Sequence, residues 1–172
     1  MQKGYIQIYT GNGKGKTTAA FGLALRASGY GKKIFIGQFV KGMKYGELES
    51  IKKFSDTITL KQFGRDCFIY NDPEPEDIQI AREGWDLVNT ILNDNSVDIL
   101  ILDEIGIAIH YKLISMEEVI EFIKRKPEEM ELILTGRNVP EELFELADLV
   151  TEMKEIKHYY TKDVSAREGI EF

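Results

Sequence analysis

The sequence predicts an α/β fold, a mostly parallel central sheet with helices on both faces. Strand-like runs alternate with helical ones along the chain, and this alternation is the first observation behind the prediction. The second is the run VDILIL at 97–102, continuously apolar as in a strand covered on both sides. The third is length: 172 residues suffice for one domain, expected to span 1–172, with a substantial core.

The elements follow in order. Tyr5 to Tyr9 alternates and is rich in β-formers, so it reads as the first strand. Thr17 to Ser28 is small and apolar at helical spacing, and Gly29 and Gly31 end it. Lys33 to Phe39 and Thr57 to Phe63 read as the next two strands, separated by a Gly-flanked segment at 40–50 that reads as a mobile loop. In Pro75 to Asn93 the residues Ile78, Ala81, Trp85, Val88 and Leu92 recur at three-and-four spacing and make one apolar stripe. That places Trp85 in the core. Ser115 opens another helix, with Glu118 three residues on in a capping-box pattern. Glu131 to Thr135 and Leu149 to Glu152 are the last strands, with a short helix expected over Pro140 to Ala147. In sheets of this kind ligands lie beyond the carboxyl ends of the strands. Function is therefore expected at Thr10, Phe39, Gly64, Asp103, Gly136 and Glu152.

Composition narrows the functional classes. The net charge is −7, and the basic residues are scattered, which argues against nucleic acid as the main partner. No apolar run approaches the length of a membrane span, and the start MQKGYIQIYTG has no signal-peptide pattern. Cytoplasm is the expected compartment. Cys67 is the single cysteine and has no internal disulfide partner. It reads as a buried, inert thiol. His110 and His158 have no Cys or His at zinc spacing.

Thr10-Gly11-Asn12-Gly13-Lys14-Gly15-Lys16-Thr17 follows the first strand and opens a helix, the context a P-loop requires. Its glycines let backbone N–H groups curl around phosphate oxygens, and the helix N-terminus, with Thr18, adds positive partial charge. Lys16 can reach the outer phosphates, and the Thr17 hydroxyl can ligate Mg²⁺. These two are the expected catalytic groups. Thr10 stands where the usual pattern has its first glycine. Lys14 either touches phosphate or is merely solvated. Asp103 ends the apolar strand, where P-loop proteins place the carboxylate that holds Mg²⁺. Glu104 beside it is a second metal-side group or a base for water. The expected fold is then a P-loop NTPase (RecA-like) fold binding ATP. Arg137, after the strand 131–135, either contacts nucleotide or pairs with a carboxylate, and Glu152 at the last strand end is similar.

Three stretches resemble a known family, the ATP:corrinoid adenosyltransferases of bacterial cobalamin synthesis and salvage. They are YTGNGKGKTTAAFGLALRA, VDILILDEI, and the closing run from ELILTGR through ADLVTEM and KH to GIEF; AREGWD in the middle also matches. The resemblance spans roughly Gly4 to Phe172. It implies transfer of the 5′-deoxyadenosyl group of ATP to the Co(I) of a reduced corrinoid such as cobalamin, releasing triphosphate. It further implies that ATP lies in the loop with its phosphates reversed, so that the scissile bond is at the ribose end. An electron donor such as a flavoprotein would supply Co(I). A Phe and a Trp beneath the corrin are implied to displace its lower axial ligand. Phe68 matches the first, and Tyr70 stands where the Trp is expected. Longer members carry an N-terminal extension over the corrinoid, partly across a dimer. Here the first strand begins near Gly4, and the 40–50 or 64–75 loop is the expected cover. The competing readings are a P-loop ATPase or kinase acting on the γ-phosphate, with Glu104 as the base, and a nucleotide-binding module without turnover.

Overall fold

The computed structural model describes residues 3–67, 69 and 72–172. Its centre is a six-stranded, all-parallel sheet in the order β3-β2-β4-β5-β1-β6. The strands are β1 (Ile6–Thr10), β2 (Ile34–Phe39), β3 (Ile58–Phe63), β4 (Ile99–Asp103), β5 (Glu131–Thr135) and β6 (Leu149–Glu152). β2 and β4 lie inside the sheet and are buried along their whole length, which is why their sequences run apolar without alternation. β3 is an edge and alternates, whereas β6, the other edge, is exposed throughout.

The helices are α1 (Lys16–Ser28), α2 (Gly46–Ile51), α3 (Pro75–Asp94), α4 (Ile105–His110) and α5 (Met116–Lys124). α1 covers one face. Ala20 and Ala24, both fully buried, let it approach Ile34, Ile36, Ile58, Ile99, Ile101 and Ile133 closely. The α2 residue Ile51 packs at the margin of the same cluster. α3, α4 and α5 cover the opposite face over Ile8, Phe35, Leu100, Leu102, Leu132 and Leu134. An aromatic row fills that layer: Phe39 lies 5.3 Å from Phe63 and 6.4 Å from Trp85, and Trp85 lies 4.9 Å from Phe122. Phe63 reaches this row across Gly84, where a Cβ would stand 2.3 Å from its ring.

Several expectations need correction. The 40–50 segment is not wholly a loop, because residues 46–51 form α2. α4 was not anticipated: six residues are too few to display a helical period, and Ile105 and Ala108 are held by the core. The short helix expected over Pro140 to Ala147 is present as a 3₁₀ helix (Glu141–Leu146). Ile78, the first residue of the apolar stripe, is exposed, while Ala81, Trp85, Val88 and Leu92 are buried as expected. Cys67 is exposed rather than buried. Ser115 caps α5 as its sequence implies, accepting from the Glu118 N–H at 3.2 Å while Glu118 accepts from the Ser115 N–H at 2.9 Å. No helix among the described residues is long and apolar enough to cross a membrane.

Candidate active site

β1 stops at Thr10 and the chain curls into the phosphate loop before α1 begins at Lys16. The loop rests on the strand end opposite: Gly13 N–H donates to the Met153 carbonyl (2.6 Å), and Met153 N–H donates to the Thr10 carbonyl (2.8 Å). A Cβ on Gly13 would lie 2.6 Å from that Met153 oxygen. The amide of Gly13 is therefore committed to the protein, and the amides entering α1 remain for an anion. Lys16 is buried and arches back over the loop, donating to the carbonyls of Gly11 (2.7 Å) and Gly13 (2.8 Å). Burial pulls its pKa below the ordinary lysine value, an effect Arg137 adds to and Glu104 opposes.

Asp103, at the end of β4, is fully buried on the α1 side of the sheet. One strand, β5, separates β4 from β1, and its last residue, Thr135, bridges the gap. Asp103 Oδ1 accepts from Thr17 Oγ1 (2.9 Å) and Thr135 Oγ1 (2.7 Å). Its Oδ2 accepts from Gln38 Nε2 (3.1 Å) and Lys41 Nζ (2.8 Å). Thus four donors, from α1, β5, β2 and the turn after β2, fix one carboxylate. Burial would lower the Lys41 pKa, but the charge and hydrogen bond of Asp103, with Glu104 and Glu47, more than offset it, and the pKa is raised.

Glu104 adopts left-handed backbone (φ 59°) immediately after the strand, and its N–H donates to Thr135 Oγ1 at 3.0 Å. Burial raises its pKa, and the neighbouring Asp103 charge raises it further, although Lys41, Lys16 and Arg137 pull the other way. Gly106 packs against Gly136 and Arg137 so closely that a Cβ on Gly106 would lie 2.7 Å from the Arg137 carbonyl. That contact binds the two strand ends together and holds Glu104 and Arg137 on one cavity wall.

The cavity measures about 830 Å³. Gly13, Lys14, Gly15, Lys16, Thr17 and Thr18 form its phosphate-loop end, with Lys41, Glu104 and Arg137 beside them. Phe21, Leu25, Ile51 and Phe54 make an apolar wall, and Ile170 to Phe172 of the closing segment complete it. Gly11, Asn12 and Glu152 lie outside the lining, although Glu152 is paired in register with Thr10. Lys14 is neither free nor merely solvated. It donates to Tyr159 Oη (3.0 Å), the Ile170 carbonyl (3.0 Å) and Glu171 Oε1 (2.6 Å). Arg167, Lys14 and Tyr159 surround Glu171 and hold its carboxyl far below the usual range.

Thr17 and Asp103 supply hard oxygen donors 2.9 Å apart, with an ammonium already seated against both: Lys41 Nζ is also 3.3 Å from Thr17 Oγ1. These are the ligands Mg²⁺ favours when phosphates complete its shell. No group of three or more His, Cys, Asp or Glu able to hold a metal occurs among the described residues. A self-sufficient protein cage is thus not the arrangement found. Phe68 and Tyr70 lie outside the described residues.

Sequence reasoning did not single out Gln38, Lys41 or Thr135. Each sits at or just past a strand end on the ligand side, so that rule alone would have pointed to them. Tyr159 and Glu171 carried no such signal.

The family model for ATP:corrinoid adenosyltransferase BtuR/CobO/CobP matches residues 2–172. A corrinoid adenosyltransferase of Sinorhizobium sp is 39% identical over 99% of this chain and 81% of its own. Those of Escherichia coli K12 and Salmonella typhimurium LT2 are 36% and 34% identical, each over 99% of this chain and 87% of theirs.

Proposed function

The chain belongs to the ATP:corrinoid adenosyltransferase family, and on that premise we propose how its residues carry the 5′-deoxyadenosyl group of ATP to the Co(I) of a reduced corrinoid. Co(I) is itself a strong nucleophile and needs no protein base. The C5′–O5′ bond breaks as the cobalt–carbon bond forms, and triphosphate leaves with the electron pair. The protein must therefore stabilise charge on the leaving group and aim C5′ at cobalt. The observation that carries this reading is the phosphate loop set against the buried Thr17–Asp103 pair, at the end of a cavity with an apolar wall.

In this reading Lys16 exchanges the Gly11 and Gly13 carbonyls for phosphate oxygens. The amides entering α1 and the Thr17 hydroxyl hold the remaining charge, with Arg137 on the facing wall. Asp103 orients Thr17, and together they would hold Mg²⁺ with Glu104 near it. Mg²⁺, when bound, neutralises the triphosphate and eases its departure. ATP lies with its phosphates reversed in the loop, and Phe68 and Tyr70 are the residues assigned to the corrinoid. Glu104 has no substrate water to activate. A flavoprotein or similar donor supplies the electron for Co(I). The protein works as one domain over 1–172 in the cytoplasm, with a homodimer as one assembly open to it, and does not use nucleic acid.

The test is direct. The protein is incubated with ATP, Mg²⁺ and chemically reduced cobalamin, and the light-sensitive adenosyl product and triphosphate are measured. Formation of ADP and phosphate alone, without adenosyl product, would place the chain among γ-phosphate hydrolases or kinases instead.

A further inference from the structure

Lys41 enters the site by a route that costs the backbone something. It follows Val40, a β-branched residue held at φ 57°, a left-handed conformation such side chains rarely tolerate. The turn is clamped on both sides. Val40 N–H donates to the Phe63 carbonyl at 3.0 Å, and the chain crosses Gly64 so closely that a Cβ there would stand 2.4 Å from the Lys41 nitrogen. Strain of this kind persists where the surroundings enforce it, and it clusters at functional sites. Its result is to fold the Lys41 side chain, 15% exposed, back onto Asp103 Oδ2 and Thr17 Oγ1, with the ammonium 5.5 Å from the centre of the Tyr45 ring.

Those two oxygens are the pair that any phosphate-bound divalent cation would have to contact. Two cations cannot share them, since at such separations their repulsion is large in a partly desolvated site. A lysine is a compact point charge on a flexible four-carbon stem. Lys41 lines the same cavity as Lys16 and Thr17, where the departing triphosphate would lie.

We propose that Lys41 is a placeholder cation and a second triphosphate-binding lysine. Without nucleotide it satisfies the Thr17–Asp103 pair and keeps free divalent cations out. When the metal arrives with its nucleotide, Lys41 yields the oxygens and moves onto the phosphates, so the metal enters only with ATP. The inference rests on the assignment of Thr17 and Asp103 as the metal's protein ligands.

The test uses Mn²⁺ as the probe, followed by the loss of its free-ion EPR signal, and inorganic triphosphate with Mg²⁺, followed by calorimetry. Lys41→Met is compared with wild type; Lys41→Gln, which keeps a donor for Asp103 without the charge, serves if the Met variant does not fold. Removing the charge should tighten Mn²⁺ binding to the nucleotide-free protein about tenfold and weaken Mg-triphosphate binding about tenfold, with Lys41→Arg close to wild type in the second assay. Unchanged Mn²⁺ affinity in both uncharged variants, or unchanged triphosphate affinity, would overturn the proposal. Asp103→Asn separates the two layers. If it leaves Mn²⁺ binding in the presence of ATP intact, the metal assignment itself fails. If it abolishes that binding while the Lys41 variants behave as wild type, only the role of Lys41 fails.

Discussion

Burial, and then the charge of Asp103 beside it, disfavours ionisation of the Glu104 carboxyl. The sign of its effect on stability follows. Its folded-state pKa is above the unfolded value of about 4.3, so the folded state is favoured below that value and loses the contribution as pH rises through the folded pKa. Glu104→Gln should therefore raise the thermal transition at pH 8, and the gain should vanish near pH 4; a larger gain in acid than in base would contradict this. The corrinoid face makes a second prediction at this scale. Phe68→Ala should depress turnover starting from Co(II) about tenfold or more, while turnover with chemically supplied Co(I) falls much less, since an axial-ligand wedge affects only the reduction. Equal losses from both starting states would refute the wedge.

At the scale of the element, packing distances and caps decide. Gly84→Ala would drive a methyl into the Phe63 ring, and overpacking of this kind costs about 1–3 kcal/mol. Chemical denaturation should show that loss, and the displaced end of β3 should carry Gly64 and the Val40–Lys41 turn with it. Ser115→Ala removes one acceptor of the α5 capping box and should cost about 1 kcal/mol with no change in nucleotide affinity. Ser115 and Glu118 were legible as a cap because the motif is local. Trp85 was legible as core because three-and-four spacing is a property of one helix. α4 was not, because its six residues are helical through what they bury and not through their own pattern. Cys67 misled for a related reason: burial of a thiol is a tendency of cysteine in general, whereas this one lies at an exposed bend.

For the whole molecule, the closing segment is bound to the phosphate loop chiefly through Lys14, Tyr159, Arg167 and Glu171. The depressed Glu171 pKa means that its share of this docking is present above about pH 4.3 and is lost only as pH falls through the lower, folded value. Glu171→Gln should accelerate hydrogen exchange across 159–172 at pH 7, and the difference from wild type should shrink in strong acid. Exchange unchanged at pH 7 would mean that Glu171 does not hold the segment. Lys16, Thr17 and Asp103 could be read from local motifs because each belongs to a strand end or to the loop itself. Lys41 could be read only as a residue just past a strand end, and Glu171 not at all. Their partners, Asp103 and Lys14, are 62 and 157 residues away, and only the folded chain brings them together.

The position of β1 between β5 and β6 bears on the order in which the protein is made. β1 precedes the other five strands in the chain, yet both of its neighbours begin only at residues 131 and 149. The loop that follows it is braced by Met153 and tied down by Glu171. A growing chain thus carries its phosphate loop, unpaired and unbraced, through the synthesis of the more than a hundred residues that separate β1 from β5. The phosphate loop is braced only after Met153 and Glu171 have left the ribosome.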